Sequence, residues 1–386
     1  MRLEALEPAN RLRIGTVEFD ASARSELASR LGSPPVVDVA QLASVPVAVS
    51  PAYLDALRHL GCVLDAALRG IVARYGEDPR IRRIYALPAA LEAIVKRASS
   101  LPYRVGYYRP DFVYDTSGHP RICEIGARYP LNGWMLSARA SLAYAPYAAK
   151  LGLAVQAEQP NFIAQLCESY PAGACVAMLH AREAGTEIFL LAQAMRERGL
   201  RFVQAHPSQL DVRAGRLHAA GAPVDACILE MDRTELPLIP AQALDALLAS
   251  GAYFNDVRTL ILVHDKRTLA VLWDEAIMRE MLSDDDYAWL RAFLIPSWVA
   301  TDRDACESLL AIDGDLIAKR SSGGRGVDAL VRSECGDAAW SERVRGQWAS
   351  DMYQRYLEQA SFAVPDELRP IHFVGMQLCR DATSFG

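Results

Sequence analysis

The sequence predicts an α/β protein of more than one domain, and three observations predict it. The chain has 386 residues, too many for one ordinary domain, so two or three are expected. Apolar residues make up 51% and charged residues 23%, the balance of a globular chain with enough apolar side chains for sizeable cores. Residues 174–232 alternate strand, helix and strand, the pattern of a parallel sheet with crossover helices.

Residues 1–100 read as mixed and then mainly helical. In PAYLDALRHLGCVLDAALRGIVARYG, Leu54, Leu57, Leu60, Leu64 and Leu68 recur at three- and four-residue spacing, one face of a helix. Pro51 suits the first turn of that helix. ALPAALEAIVKRASS repeats the pattern, and both are read as packing elements. The texture changes in segment 101–160. There YRVGYYRPDFVYDTSGHPRICEIGARYP reads as two strands joined by the turn Thr116-Ser117-Gly118-His119. Arg109 and Asp111 fall on the first strand and Glu124 on the second. The alanine- and leucine-rich stretch 135–151 returns to helix.

In segment 161–250, ACVAMLH is a short apolar strand, EAGTEIFLLAQAMRERG a helix closed by Gly199, and RFVQAHP and APVDACILEMD two further strands. No GxGxxG follows a strand, which disfavours dinucleotide binding. In segment 251–386, NDVRTLILVHDKRTLAVLWDEAIM gives a strand and then a helix beginning near Asp265. AFLIPSWVATD is a strand ending in Pro296, and Asp302 to Ile312 a helix. DLIAKRSSGGRGVDALVRS is two strands around a glycine-rich turn, DAAWSERVRGQWAS a helix, DMYQRYLEQ a strand, and RPIHFVGMQLCRD a final strand.

Charge and motif content exclude several functions. The 41 basic and 47 acidic residues give a net charge of −6 and are spread along the chain, so no nucleic-acid footprint is expected. MRLEALEPANRLRIG lacks the apolar stretch of a signal peptide, and no apolar run nears the length that spans a bilayer. The expected location is the cytoplasm, with no membrane partner. The eight cysteines, at 62, 123, 167, 175, 227, 306, 335 and 379, form no CxxC pair and read mostly as buried free thiols. HExxH, GxSxG and the Walker GxxxxGK[ST] pattern do not occur.

Three constellations carry chemistry. In AKRSSGGRGV, Gly323, Gly324 and Gly326 can turn backbone N–H groups toward a phosphate because no Cβ blocks the approach. Lys319 adds a positive charge at the strand end; the bland alternative is an exposed hairpin turn. In VHDKRTL, Lys266 falls in the first turn of the expected helix, where the macrodipole favours anions. It would suit an anionic ligand, or be a solvated lysine beside Asp265 and Arg267. In RPDF with CEIG, Arg109 and Asp111 share a strand face, and Asp111 and Glu124 can lie on neighbouring strands and share Mg²⁺. The alternative is a surface ion pair of Arg109 with an acid.

Taken in this order, the three resemble the ATP-grasp superfamily, and most closely its circularly permuted branch, which includes glutathionylspermidine synthase-like carboxylate–amine ligases. The resemblance covers roughly 103–386; residues 1–100 match no named pattern. It implies ATP-grasp nucleotide-binding lobes, a small Rossmann-like α/β domain at 161–250 and a helical N-terminal region. Segment 101–160 becomes the carboxylate hairpin and its helix, and 251–386 the nucleotide lobe. The family's R-x-D-F and E-x-N stand here as RPDF and EIG. The resemblance implies Asp111 and Glu124 as Mg²⁺ ligands, Arg109 as a phosphate or acyl-phosphate contact, and Lys266 and Lys319 as the two ATP-contacting lysines. Gln354 to Leu357, including Tyr356, would meet adenine. Gly126 replaces the family's asparagine, so that ligand is lost or supplied by another group such as Asn132. Relatives usually continue beyond the last strand. This chain stops at SFG, which reads as a truncation or a smaller site.

The implied activity is an ATP-dependent carboxylate–amine ligase working through an acyl phosphate, with Lys266, Lys319, Arg109 and Mg²⁺ offsetting charge on the moving phosphoryl group. Its substrates would be a small-molecule carboxylate and an amine. Arg128 is a candidate substrate-carboxylate contact or a solvated arginine. Arg182 and Glu183 sit where a strand meets a helix, a common ligand position in α/β domains. A nucleotide-binding protein without ligase activity and a small-molecule kinase are the competing classes.

Overall fold

The computed structural model describes residues 13–14, 47–150, 152, 159–182, 187–323, 326, 328–361 and 371–386. They form a mixed α/β protein with several separate sheets. Helix α1 (Pro51–Arg74) starts where expected: Ser50 Oγ accepts from Tyr53 N at 3.1 Å, and Pro51 occupies the first turn. Its Leu57, Leu60, Leu64 and Leu68 are buried, and Leu54 packs partly buried on the same core. A short helix absent from the sequence reading, α2 (Pro79–Tyr85), leads to the expected α3 (Ala89–Ala98).

The hairpin packs directly on α1. Strands β1 (Tyr107–Tyr114) and β2 (Pro120–Gly126) are antiparallel, with Asp111 opposite Glu124 and Phe112 opposite Ile122. That register leaves Cys123 as the extra residue of a β-bulge. Tyr108, Phe112 and Tyr114 face the core, where Tyr108 Oη donates to Gly61 O at 2.9 Å and the Tyr53 and Tyr114 hydroxyls meet at 3.0 Å. Arg109, Asp111 and Val113 alternate onto the other, partly exposed face. Asn255 seats the hairpin: its side chain accepts from Tyr107 N at 2.7 Å and donates to Tyr107 O and Ala127 O at 2.7 and 2.8 Å. The helix expected over 135–151 is α4 (Trp134–Lys150), followed by α5 (Gln159–Glu168).

The strands β3 (Cys175–Leu179), β4 (Arg201–Ala205) and β8 (Ala226–Leu229) form the expected parallel sheet in the order β8-β3-β4. Helix α6 (Ile188–Glu197) makes the crossover and ends before Gly199, whose φ is +76°. An antiparallel meander of β5 (Leu210–Arg213), β6 (Arg216–Ala219) and β7 (Ala222–Pro223) was not expected. Helix α7 (Ala241–Ser250) follows.

Three expectations are corrected in the last segment. The run Thr259–Val263, apolar from Leu260 on, is a π-helical turn, not a strand. All five of its residues are buried in the main core, and a short run buried on every side has no periodicity to separate strand from helix. The following helix starts at Thr268 rather than near Asp265, and Asp274 breaks it into α8 (Thr268–Trp273) and α9 (Glu275–Met278). A further helix, α10 (Asp284–Arg291), was not expected. Third, the strand expected to end in Pro296 instead follows it, as β9 (Ser297–Trp298). Proline has no N–H for a ladder, but its carbonyl accepts from Arg355 N at 2.9 Å.

Strands β9, β12 (Asp351–Arg355), β10 (Leu316–Arg320) and β11 (Leu330–Val331) then form an antiparallel sheet in that spatial order. Helices α11 (Arg303–Leu310) and α12 (Arg332–Gln347) cover one face around Leu309, Trp340, Val344 and Tyr353. The expected final strand is three short pieces, β13 (Gly375–Met376), β14 (Cys379–Arg380) and β15 (Thr383–Ser384); the first two pair with the free edge of β1. Among the described residues no helix is long and apolar enough to cross a membrane.

Candidate functional site

The partly exposed face of the hairpin carries a closed ion pair. Arg109 Nε and Nη2 donate to Asp111 Oδ1 and Oδ2 at 2.6 and 2.7 Å, the bidentate geometry that a planar guanidinium makes with a carboxylate. Arg109 Nη1 also donates to Pro130 O at 3.3 Å and to Asn132 O. Burial pushes the Asp111 pKa above the usual carboxylate range, and the Arg109 charge only partly offsets this. Glu124 lies opposite. Burial would raise its pKa too, but Lys266, His264 and Lys319 together hold it below the usual range.

Both lysines come to this hairpin from elements far away in sequence. Lys266 lies in the turn between the Thr259–Val263 π-turn and α8, so the helix N-terminus expected for it is not there. Its Nζ donates to Glu124 Oε1 at 3.3 Å and to Gly323 O. Its backbone N donates to Ser321 O at 3.1 Å. Lys319 sits on β10, and its Nζ donates to Cys123 O at 3.2 Å and to Gln354 Oε1 at 2.7 Å. Burial, aided by the Lys266 charge, lowers the Lys319 pKa against the pull of Cys123 and Glu124. Gln354 is itself fixed, because its Nε2 donates to Ser297 Oγ at 3.0 Å.

The glycine loop lies beyond Lys319. Gly323 and Gly326 have φ of +93° and +67°, and a Cβ at either would meet open space. Backbone conformation, not crowding, therefore favours glycine there. Gly324 lies outside the described residues. At the end of β12, Tyr356 is exposed and its N–H donates to Asp315 O at 3.0 Å. Leu357 joins Leu294, Ile295, Pro296 and the side chains of Arg121 and Arg291 in lining a cavity of about 540 Å³. That cavity touches Leu357 but neither lysine nor either carboxylate.

The substrate candidates are less gathered. Arg128 faces Glu230 at 3.4 Å. Arg182 is 83% exposed and pairs with Glu235 at 3.3 Å, while Glu183 lies outside the described residues. The Asn132 amide faces Glu230 Oε1 at 3.5 Å and the Glu187 N–H at 3.4 Å, not the Asp111–Glu124 pair. At Gly126 a Cβ would make only ordinary contacts, 3.7 Å to Arg109 O and 4.0 Å to Arg109 Nη2, so the glycine is not imposed by crowding. Among the described residues no group of three or more His, Cys, Asp or Glu side chains could hold a metal.

Several residues of this region were missed from sequence. His264 accepts from Ala127 N at 3.2 Å, and burial with the nearby Arg128 and Lys266 charges lowers its pKa to about 4. Glu187 accepts from Gly133 N at 2.6 Å and Leu136 N at 3.0 Å, at the start of α4. Arg233, Asp265 and Arg267 form a buried charged node. The HDKR run offered a signal for two of these three; Arg233, in MDRTE, offered none.

A family model described as the AnkG N-terminal domain matches residues 60–262, just over half of the chain. The chain belongs to the AnkG N-terminal domain family. The matched stretch contains most of α1, the carboxylate hairpin and the parallel sheet, and stops short of Lys266 and the lysine hairpin. No curated protein matches the chain.

Proposed function

We propose that the chain is an ATP-dependent carboxylate–amine ligase of the permuted ATP-grasp kind, acting in the cytoplasm. One observation carries the reading: Lys266 and Lys319, from separate elements, converge on the Asp111–Glu124 hairpin. Lys266 bonds Glu124 itself and Lys319 bonds the carbonyl next to it, at Cys123. A buried Lys266 and a partly buried Lys319 this close to partly buried carboxylates are costly for a fold alone, and such clusters favour functional sites.

In this reading Lys266, Lys319 and the backbone of Gly323, Gly324 and Gly326 hold the phosphates. Gln354, Tyr356 and Leu357 border the base, beside the cavity. Asp111 and Glu124 would hold Mg²⁺. Two opposed carboxylates fit an ion that takes most of its remaining ligands from phosphate and water, and Mg²⁺ would offset charge on the phosphoryl group. Arg109 would face the acyl phosphate, and Arg128, Arg182 and Glu183 the substrates. A carboxylate oxygen attacks the γ-phosphorus and ADP leaves. The amine nitrogen then attacks the acyl carbon, the C–O bond to phosphate breaks, and the nitrogen loses a proton.

A second reading, nucleotide binding without ligation, draws on Gly126 and on the bidentate Arg109–Asp111 pair, which already occupies one carboxylate. ADP release measured with Mg·ATP and a panel of carboxylates and amines separates the two. Turnover dependent on both co-substrates supports the ligase; tight Mg·ATP binding without turnover favours the second reading.

A further inference from the structure

We infer that Arg233 is a positioning residue that sets the spacing of the two phosphate-facing lysines and ties both to the small parallel-sheet unit. The inference rests on the nucleotide reading of Lys266 and Lys319. Arg233 opens the short 3-10 turn Arg233–Leu238, shortly after strand β8. Its guanidinium is buried and reaches two other chain segments at once. Nη1 donates to Ile261 O at 3.2 Å and to Asp265 Oδ2, while Nη2 donates to Ser321 Oγ at 2.9 Å.

Asp265 immediately precedes Lys266, and Ser321 lies two residues after Lys319. Each contact is itself anchored. Arg267 donates to Asp265 from its backbone N at 2.9 Å and from its Nη2 at 2.7 Å. Ser321 N donates to Ser350 O at 2.9 Å, and Ser321 O accepts from Lys266 N at 3.1 Å. One planar fork therefore spans the gap between the segments that carry the lysines. Lysine carries all its N–H donors on one nitrogen at the end of a flexible stem, and cannot hold both partners in that forked, planar geometry.

The same turn is tied to the C-terminal end of the parallel sheet. Glu235 accepts from Arg182 N at 3.2 Å and from Asp232 N at 3.2 Å. The Arg233 guanidinium bonds Ile261, Asp265 and Ser321 rather than Glu124, Asp111 or either lysine side chain. It acts on them through Asp265 and Ser321.

The test compares the full-length wild type with Ser321→Ala and Arg233→Lys, reading melting temperature and Mg·ATP affinity by calorimetry. Ser321→Ala removes the Nη2 acceptor and keeps both backbone bonds of Ser321. Arg233→Lys keeps the charge and loses the fork. Each variant is expected to melt within a few degrees of wild type and to bind Mg·ATP about tenfold more weakly, the scale of one hydrogen bond to a charged group. A purely structural role would lower the melting temperature and leave the affinity of the folded protein unchanged. Wild-type affinity in both variants overturns the positioning role. If the wild type itself fails to bind Mg·ATP, the nucleotide reading falls and the inference with it.

Discussion

Asp265→Asn tests the charged node at its centre. Asp265 is 2% exposed and accepts from Arg233 and from three donors of Arg267, its backbone N, Nε and Nη2. An asparagine keeps the volume, removes the carboxylate that these two guanidiniums share, and turns N–H groups toward them. Breaking a buried pair by removing one partner costs about 3–5 kcal/mol, so for a chain of this length the unfolding transition should drop by about 4–6 °C. Burial would raise the Asp265 pKa, but Arg233 and Arg267 outweigh it and lower it. A depressed folded-state pKa gives stability that is fully present above the unfolded-state value near ~3.9 and lost as pH falls through the folded value. Scanning calorimetry from pH 7 to pH 3 should therefore show a constant gap between wild type and variant at neutral pH that narrows only in the acid limb. A variant melting within about 2 °C of wild type would refute the reasoning.

Other consequences follow from the same geometry. His264, whose pKa is depressed to about 4, stays neutral in the fold while the unfolded chain takes up a proton near ~6.5. Wild type should therefore lose about 2 kcal/mol between pH 7.5 and pH 5 that His264→Gln does not lose, read from urea midpoints; parallel curves would contradict it. Asp111→Asn and Glu124→Gln should each cut Mg²⁺-dependent ADP release about 100-fold or more while the fold stays intact; unchanged activity would reject the metal placement. Gly106→Ala should destabilise the hairpin seat by about 1–3 kcal/mol, because Gly106 has φ of +75° and a new Cβ would lie 2.5 Å from Asn255 Oδ1. Wild-type stability in that variant would mean that Asn255 yields readily.

The hairpin, the long helix over 51–74 and the parallel sheet were legible because each carries an unambiguous local pattern. Leu57 to Leu68 keep helical spacing, and Arg109, Asp111 and Val113 alternate against Tyr108, Phe112 and Tyr114. Thr259–Val263 was misread because all five residues are buried and the last four are apolar, which erases both periods. The β5–β7 meander was missed because its strands are short, with exposed charged residues such as Arg213 and Arg216. Within the candidate site, the lysines and acids stood out as charges in apolar strings. Arg233, Asn255 and Glu187 did not, since their roles depend on partners 28 or more positions away. The Cys123 bulge, which places Glu124 opposite Asp111, also had no sequence signal.

The measurement that bears most directly on the proposed nucleotide site is calorimetric titration of Mg·ATP into the wild type, Lys266→Ala and Lys319→Ala. The wild type should bind. Each lysine variant, still folded by its melting transition, should bind at least about tenfold more weakly. Equal affinity in all three proteins, or no binding by the wild type, would contradict the account.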